Sequence, residues 1–492
     1  MIRRHITPAL VVFLLLFGCC LVRPVTTAAW WAMAVGALLP CAAAFVLLNT
    51  QTAALRRAGI FTLCLGAGLL LGSVGMARMT IAAQGAFLPV PGGEISEFNG
   101  ALTQDSSLTQ KGETLLRIAL RSASSMRRGV EAEARGRVLV FLKGDYRFSL
   151  GEEVTLRAHL SASATAAAEH YTARVDRRDV RSLGFAGGAW AWRSQAREWL
   201  HRAVSRAGYP ASALMEALLI GSREDVPEAL YDGFKRTGSL HILALSGLHV
   251  TVIYAAALGL LRSLKKRGIK LLLATVVLLF YQFCAGFMPS LLRATVMIMV
   301  GGIGLLLDRD AEPLNLLAIS GITILAADPF QAFSLSFQLS FLALGGILVL
   351  GPLVRRPLEG WLPRWILLPV AMSIGAQLAT MPLVVARFGI WYPAGIVAGL
   401  LLVPLTTALL WAGLGWLPLV TIPWPFLHDC GARGLGVLYD VIAQSAEVFA
   451  RIPGIAVPSS FVPWATGAAA LALAGCAVLL PARRQAAAGR AG

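Results

Sequence analysis

Apolar runs long enough to enter a bilayer recur along this chain, and basic residues cluster at many of their ends. They fall near 6–22, 28–48, 60–77, 242–261, 271–288, 291–307, 314–327, 332–350, 366–386 and 461–480. A hydrocarbon layer of about 30 Å takes roughly 20 helical residues to cross. Every backbone N–H and C=O inside it must find a partner within the protein, so the chain is confined to spanning helices or a closed barrel. Runs of this length select helices. The composition, 57% hydrophobic and 14% charged over 492 residues, excludes an ordinary soluble domain. A further apolar stretch, 394–420, is divided by Pro404 and reads as a re-entrant hairpin or a broken helix pair. The expected fold class is a polytopic α-helical membrane protein of about ten spans plus a re-entrant segment. The first run has no small-residue cleavage site and is followed at once by another span, so it reads as an anchor.

The formal net charge of +17 invites a nucleic-acid reading, but its placement points elsewhere. Arg3/Arg4, Arg56/Arg57, Arg262/Lys265/Lys266/Arg267/Lys270, Arg355/Arg356/Arg364 and Arg483/Arg484/Arg490 adjoin span ends. This is the pattern of cytoplasmic loops. It places both termini in the cytoplasm and sends the third span outward. The seven cysteines, Cys430 apart, lie in apolar runs without metal-ligand spacing, and read as small core residues.

Segment 84–188 then lies outside the cytoplasm. "TLLRIALRSA", "VEAEARGRVLVFLK", "EVTLRAHLSA" and "HYTARV" alternate apolar and polar residues, as half-buried strands do. Short strands and glycine turns suggest an inserted extracytoplasmic small β-barrel, OB-like in kind. Such a fold can bind single strands through a basic groove and stacked aromatics. This segment has 14 basic residues against 12 acidic, so a purely structural role competes on equal terms. Its one basic cluster, Arg174, Arg177, Arg178 and Arg181, is the candidate DNA-binding patch. "WAWRSQAREWLHRAVSR" (190–206) places Trp192, Ala196, Trp199 and Ala203 on one helical face and Arg193, Arg197, Arg202 and Arg206 around the other. That is the pattern of an interfacial helix. Asp225, Pro227 and Glu228 suggest a capped helix start, and Gly238 its stop. The domains expected are 1–83 (N-terminal spans), 84–188 (β-domain), 189–238 (interfacial helices), 239–482 (a second transmembrane domain) and 483–492 (cytoplasmic tail).

Polar residues within the later runs stand out, because lipid-facing polar groups are costly. They are Gln282, Arg293, Asn315, Ser334, Ser336, Gln338, Ser340, Gln377 and Thr380. In "DPFQAFSLSFQLSF" (328–341), Asp328 precedes a helical pattern in which Ser336 and Ser340 stack at i, i+4 and Phe333, Phe337 and Phe341 form a stripe. Helix–helix contact and a polar pore wall with flat aromatic faces are both open readings. "SLHILALSGLHV" (239–250) puts His241, Ser246 and His249 around Gly247. Ser246 and His249 are three apart, on one helical face. A metal site would need further ligands, with only Glu224 and Asp225 near in sequence. A Ser–His nucleophile would need a third, orienting group. A hydrogen-bonded knot that breaks the span at Gly247 is the third reading, and two histidines satisfied by neighbours the plainest. No catalytic residue, metal or cofactor is assigned.

"GSLHILALSGLHV" closely resembles the signature of the ComEC family of competence proteins, inner-membrane DNA-uptake channels. The resemblance extends over about 217–404, through "ALLIGSREDVPEALYDGFKRTG", "LLRATVM", "ADPFQAFSLSFQLSF" and "QLATMPLVVARFG" in the family's order. It implies a channel passing one DNA strand into the cytoplasm during natural transformation. Its motif residues here are His241, Ser246, Gly247, His249, Arg293, Asp328, Ser336, Gln338, Ser340 and Gln377. The partners implied are single-stranded DNA, the lipid bilayer, a separate nuclease, a periplasmic DNA-binding protein and a cytoplasmic motor or helicase. Many relatives carry a C-terminal metallo-β-lactamase-like domain. No HxHxDH run occurs here, so this chain is expected to lack that nuclease. The family's Asn-Leu-Leu reads Ala398-Gly399-Leu400-Leu401 instead. An intramembrane enzyme using Ser246, His249 and His241 is the alternative, and a divergent envelope transporter or structural relative a third reading.

The charge pattern generates a topology test. Reporter fusions at Lys266 and Arg484 should report cytoplasm, and a fusion at Gly144 should report the periplasm. A cytoplasmic signal at Gly144 would overturn the placement of the β-domain.

Overall fold

The computed structural model describes residues 8–21, 40, 53–84, 87–109, 112–162, 171–185 and 187–457. The expected spans at 28–48 and 461–480, and the cytoplasmic tail, lie outside the described residues. Two compact units emerge. Among described residues, one comprises Met76–Arg202, and the other gathers the N-terminal helices with everything from Ala203 onward.

The first unit is built on a nine-stranded sheet. Its strands are β1 (Glu97–Leu102), β2 (Ser107–Leu108), β3 (Glu113–Ser125), β4 (Val130–Glu133), β5 (Arg137–Lys143), β6 (Glu152–Leu156), β7 (Ser161–Ala162), β8 (Tyr171–Val175) and β9 (Val180–Phe185). Their order is β7-β8-β5-β3-β1-β6-β9, with β2 and β4 also paired to β3. Most pairs are antiparallel, while β5 and β8 run parallel. The alternation in β3 and β5 turns Leu116, Ile118, Val138, Val140 and Leu142 inward, each fully buried. Phe98, Val154 and Leu156 meet them from β1 and β6 to complete one core. The sequence pattern located β3 to β6 and β8. It passed over β1 and β9, where Gly100 and Gly184 interrupt the apolar alternation.

Helix α3 (Gly188–Ser205) begins in this unit, after α1 (Pro8–Leu21) and α2 (Ala53–Gln84). Arg193 does not lie on a solvated or headgroup-facing side, as its sequence position suggested. Its side chain is fully buried and grips Asp105 with two hydrogen bonds, of 2.7 and 2.6 Å. The Leu150 N–H donates to the same carboxylate at 2.8 Å, and Arg197 stands 3.5 Å away. Burial pushes the Asp105 carboxyl up, but the Arg193 bonds and the charges of Arg197 and Arg193 outweigh it. The group is therefore held below the usual carboxylate range. A bidentate, ionised clamp results.

The second unit is helical. It continues with α4 (Ala211–Ile220), α5 (Glu228–Arg236), α6 (Gly247–Leu260), α7 (Arg267–Ala285), α8 (Pro289–Leu306), α9 (Pro313–Ala327) and α10 (Leu335–Val349). After these come α11 (Gly351–Leu358), α12 (Arg364–Phe388), α13 (Gly395–Leu419) and α14 (Pro425–Ala450). Short strands β10 (Ile390–Trp391) and β11 (Ile455–Ala456) pair with each other. Among the described residues six helical segments are long and apolar enough to cross a membrane, or seven if α10 and α11, bent by 42°, make one span. The chain is thus a membrane protein with a β-rich domain. α13 corrects the re-entrant expectation at 394–420. It runs unbroken through Pro404, while Thr406 and Thr407 bond the Leu402 and Val403 carbonyls around it. Membrane helices tolerate such a proline where protein surrounds it. α5 starts behind Pro227, so Asp225 is not its cap.

Packing within this unit uses close approach and aromatic faces. Phe337 and Phe341 stack on each other at 4.3 Å, and on Phe17 and Phe13 of α1 at 5.9 and 5.3 Å. The aromatic stripe of 328–341 is therefore an internal packing surface, which decides against the pore-wall reading for Phe337 and Phe341. Where α10 crosses α12, a Cβ on Gly346 would fall 2.3 Å from the Gly375 carbonyl oxygen. Backbone meets backbone there, as small residues allow in membrane bundles. Gly346→Leu should therefore destabilise the protein by at least about 1–3 kcal/mol. Gly345→Leu, whose Cβ would meet nothing within 4 Å, should leave thermal inactivation of the detergent-solubilised protein near wild type. Equal behaviour of the two variants would refute the crossing.

Candidate functional site

The segment 240–260 qualifies as a span by length and composition, yet it is not one helix. A 3-10 turn covers Leu240–Ile242, and α6 starts only at Gly247. A helix beginning there presents free N–H groups that water cannot be relied on to satisfy. Ser246, in extended conformation, closes that end as the N-cap. Its Oγ accepts from the Leu248 N–H at 3.3 Å, and its own N–H donates to His249 Nδ1 at 3.0 Å. This is a reciprocal capping box in which histidine takes the place usually held by Glu or Gln.

The box fixes the histidine's chemistry. Because Nδ1 accepts a backbone N–H, its lone pair is occupied and the ring proton belongs on Nε2. Ser246 Oγ also lies 3.0 Å from Nδ1, a distance suited to a nucleophile–base pair. The lone pair is nevertheless already engaged by the backbone. A hydrolase would also need a group orienting the ring, and none bonds His249 beyond the box among the described residues. Among those residues neither His241 nor His249 belongs to a group of three or more His, Cys, Asp or Glu side chains close enough to share an ion. His241, exposed on the 3-10 turn, faces the Gly238 carbonyl and takes no part in the box.

Arg293 joins the same locus from α8. Ser290, one turn earlier, donates to the Leu245 carbonyl at 2.7 Å and fixes α8 against the start of α6. A Cβ on Gly247 would sit 3.1 Å from Arg293 Nη2 and 3.4 Å from the Ala294 Cβ, so glycine admits the guanidinium. Below it, Leu245, Val250, Leu278, Ala285, Leu291 and Ala294 form an apolar core.

The other motif residues are dispersed. Asp328 caps the 3-10 turn Pro329–Phe333, accepting from Phe330 N–H at 3.1 Å and Gln331 Nε2 at 3.0 Å. Gln338 donates to the Ala332 carbonyl at 2.8 Å, bracing the same turn. Ser336 is exposed and Ser340 half-buried on α10. Gln377 on α12 accepts from Trp391 Nε1 at 3.3 Å, and its Nε2 lies against Gly395. In the other unit, all four arginines of the β-domain patch are exposed. Arg174 lies over Phe141, and Arg177 over Tyr146 and Phe148 while bonding the Val180 carbonyl. Sequence reasoning passed over Thr295 and its 2.6 Å bond to the buried Gln282, since the two partners lie on different helices.

A multi-helix membrane unit with a β-rich domain and a span broken at a Ser–Gly–Leu–His cap defines the class. The model of the competence protein family matches residues 218–484, over half the chain, and the chain belongs to that family. It is 28% identical over 201 residues to ComE operon protein 3 of Bacillus subtilis, covering 40% of this chain and 25% of that protein. An uncharacterized protein of Aquifex aeolicus is 33% identical over 208 residues, 42% of this chain and 47% of its own. Recombination protein 2 of Haemophilus influenzae is 25% identical over 218 residues, 41% of this chain and 28% of its own. The matches thus span less than half the length of these relatives. No solved structure matches.

The capping box generates a discriminating substitution. Ser246→Ala and His249→Ala should each cost about 1 kcal/mol of stability, with the double variant less than additive because one box is lost once. His249→Gln should restore most of that stability, since glutamine can accept the same N–H. Differential scanning of the purified protein checks this. A His249→Gln variant as unstable as His249→Ala would exclude the capping role.

Proposed function

We propose that this protein is a bacterial inner-membrane channel that passes single-stranded DNA into the cytoplasm during natural transformation. The observation that carries the reading is the competence-family match over 218–484, which contains the broken span and all of its polar partners. The similarity to recombination protein 2 and ComE operon protein 3 supports it. In this reading the chain crosses the membrane about ten times, with both termini cytoplasmic, as its basic clusters suggest. The periplasmic β-domain, OB-like in role, guides the strand with Arg174, Arg177, Arg178 and Arg181. The interrupted segment from Leu240 to Gly247 gives the strand an opening that a continuous helix would fill.

The chain performs no hydrolysis in this scheme, and Ser246 and His249 hold the opening's edge. A separate nuclease supplies the single strand, a periplasmic DNA-binding protein delivers it, and a cytoplasmic motor or helicase draws it inward.

Deleting the gene from a competent host should leave labelled donor DNA in the periplasm and stop the appearance of strand in the cytoplasm. Complementation by the intact chain should restore entry. Normal entry without the gene would refute the channel. Covalent labelling of Ser246 by an active-site serine probe, with uptake intact in Ser246→Ala, would favour an enzyme instead.

A further inference from the structure

Arg293 is the charged residue of this region that no partner meets among the described residues. Among the described residues the buried polar side-chain atoms of the helical unit that lack a hydrogen-bond partner are Ser239 Oγ, Tyr281 Oη, Gln282 Nε2 and Arg293 Nε. All four fall between positions 239 and 293, around the broken span, and all can donate. The two nitrogens, Gln282 Nε2 and Arg293 Nε, can only donate, so each of them needs an acceptor.

The charge deepens the shortage. A cation within an apolar span is ordinarily paired with a carboxylate or with backbone carbonyls. Arg293 is half-buried with its Nε sealed away from any partner, and no ion pair or hydrogen bond engages its guanidinium among the described residues. It also stands at the wrong end of a helix. Gly247 is the first residue of α6, where the backbone dipole is positive and favours anions over cations. Two like charges, one formal and one partial, are thus held together by deliberate packing: the Ser290 bond to Leu245 and the glycine that admits the guanidinium. Both become favourable in the presence of one anion.

We propose that Arg293 is an anion-binding residue that takes a phosphodiester group of the transported strand beside Gly247. The proposal rests on the strand-transport reading and adds to it the point at which backbone charge is met. A guanidinium suits this task, because its planar donors match two phosphate oxygens at once and it stays ionised when buried. A lone cation also suits passage. Each phosphate entering a low-dielectric region needs a counter-charge, yet a strand that must move on needs a site it can leave. One unpaired arginine provides the first without the grip of a cluster.

The test measures oligothymidylate binding to the full chain in phosphatidylcholine nanodiscs, as a function of salt. Each phosphate contact on a single strand contributes about 0.7 to the slope of log affinity against log salt. R293Q should reduce that slope by about 0.7, and R293K, which keeps the charge, should preserve it. An uncharged methylphosphonate oligonucleotide should bind wild type and R293Q alike, which separates charge recognition from any change in folding. Uptake in cells should fall about tenfold in R293Q and less in R293K. If wild type binds oligothymidylate with a slope that R293Q leaves unchanged, this proposal fails while the channel reading stands. If wild type binds no DNA and its deletion leaves uptake intact, the channel reading fails and this one with it. An unchanged slope, together with phospholipid that co-purifies with wild type and is lost from R293Q, would assign the site to a lipid headgroup and overturn the proposal.

Discussion

A helix that starts in the middle of an apolar segment must end its own backbone polarity, and the Ser246–His249 box does so here. Within a bilayer an unsatisfied N–H costs several kcal/mol in the absence of water. A span can therefore be interrupted only where side chains take over the hydrogen bonding. Ser246 and His249 do this reciprocally across one turn. With that end closed, the segment before it can turn as a 3-10 helix, α8 can be tied to the Leu245 carbonyl, and Gly247 can receive Arg293. The geometry of the whole locus follows from where that helix is allowed to begin.

Much of the architecture was written in the pattern of apolar runs and alternating strands. Runs of about 20 residues can be satisfied only as helices, and residues such as Leu116 and Ile118 or Val138 and Val140 can alternate only on a half-buried strand. What the pattern hid has specific causes. Histidine is not a usual member of a capping box, so Ser-x-x-His read as catalysis, metal binding or a loose knot before it read as a helix start. Pro404 suggested a break because proline removes a backbone donor, yet α13 continues through it. Arg193 looked like one of four equivalent surface arginines. Only the fold shows that Asp105, far away in sequence, reaches it.

The candidate site was legible as a set of residue types rather than as an arrangement. Asp328, Gln338 and Gln377 each stood out as polar groups in apolar surroundings. The structure commits them to local bonds that hold a turn or join α12 to the strand after it. Arg293 stood out for the same reason and has no such commitment. The separation between these two fates depends on long-range packing that spacing in one sequence does not encode.

The ring stack of Phe13 and Phe17 on Phe341 and Phe337 also sets an order in time. α1 leaves the ribosome well before its aromatic partners, which come from α10, more than half the chain later. At about 5–20 residues per second the wait is on the order of tens of seconds. Throughout it, the face carrying Phe13 and Phe17 must do without the rings it finally packs on. α1 is therefore made early and housed late, and its place in the helical unit cannot be filled until α10 arrives to receive it.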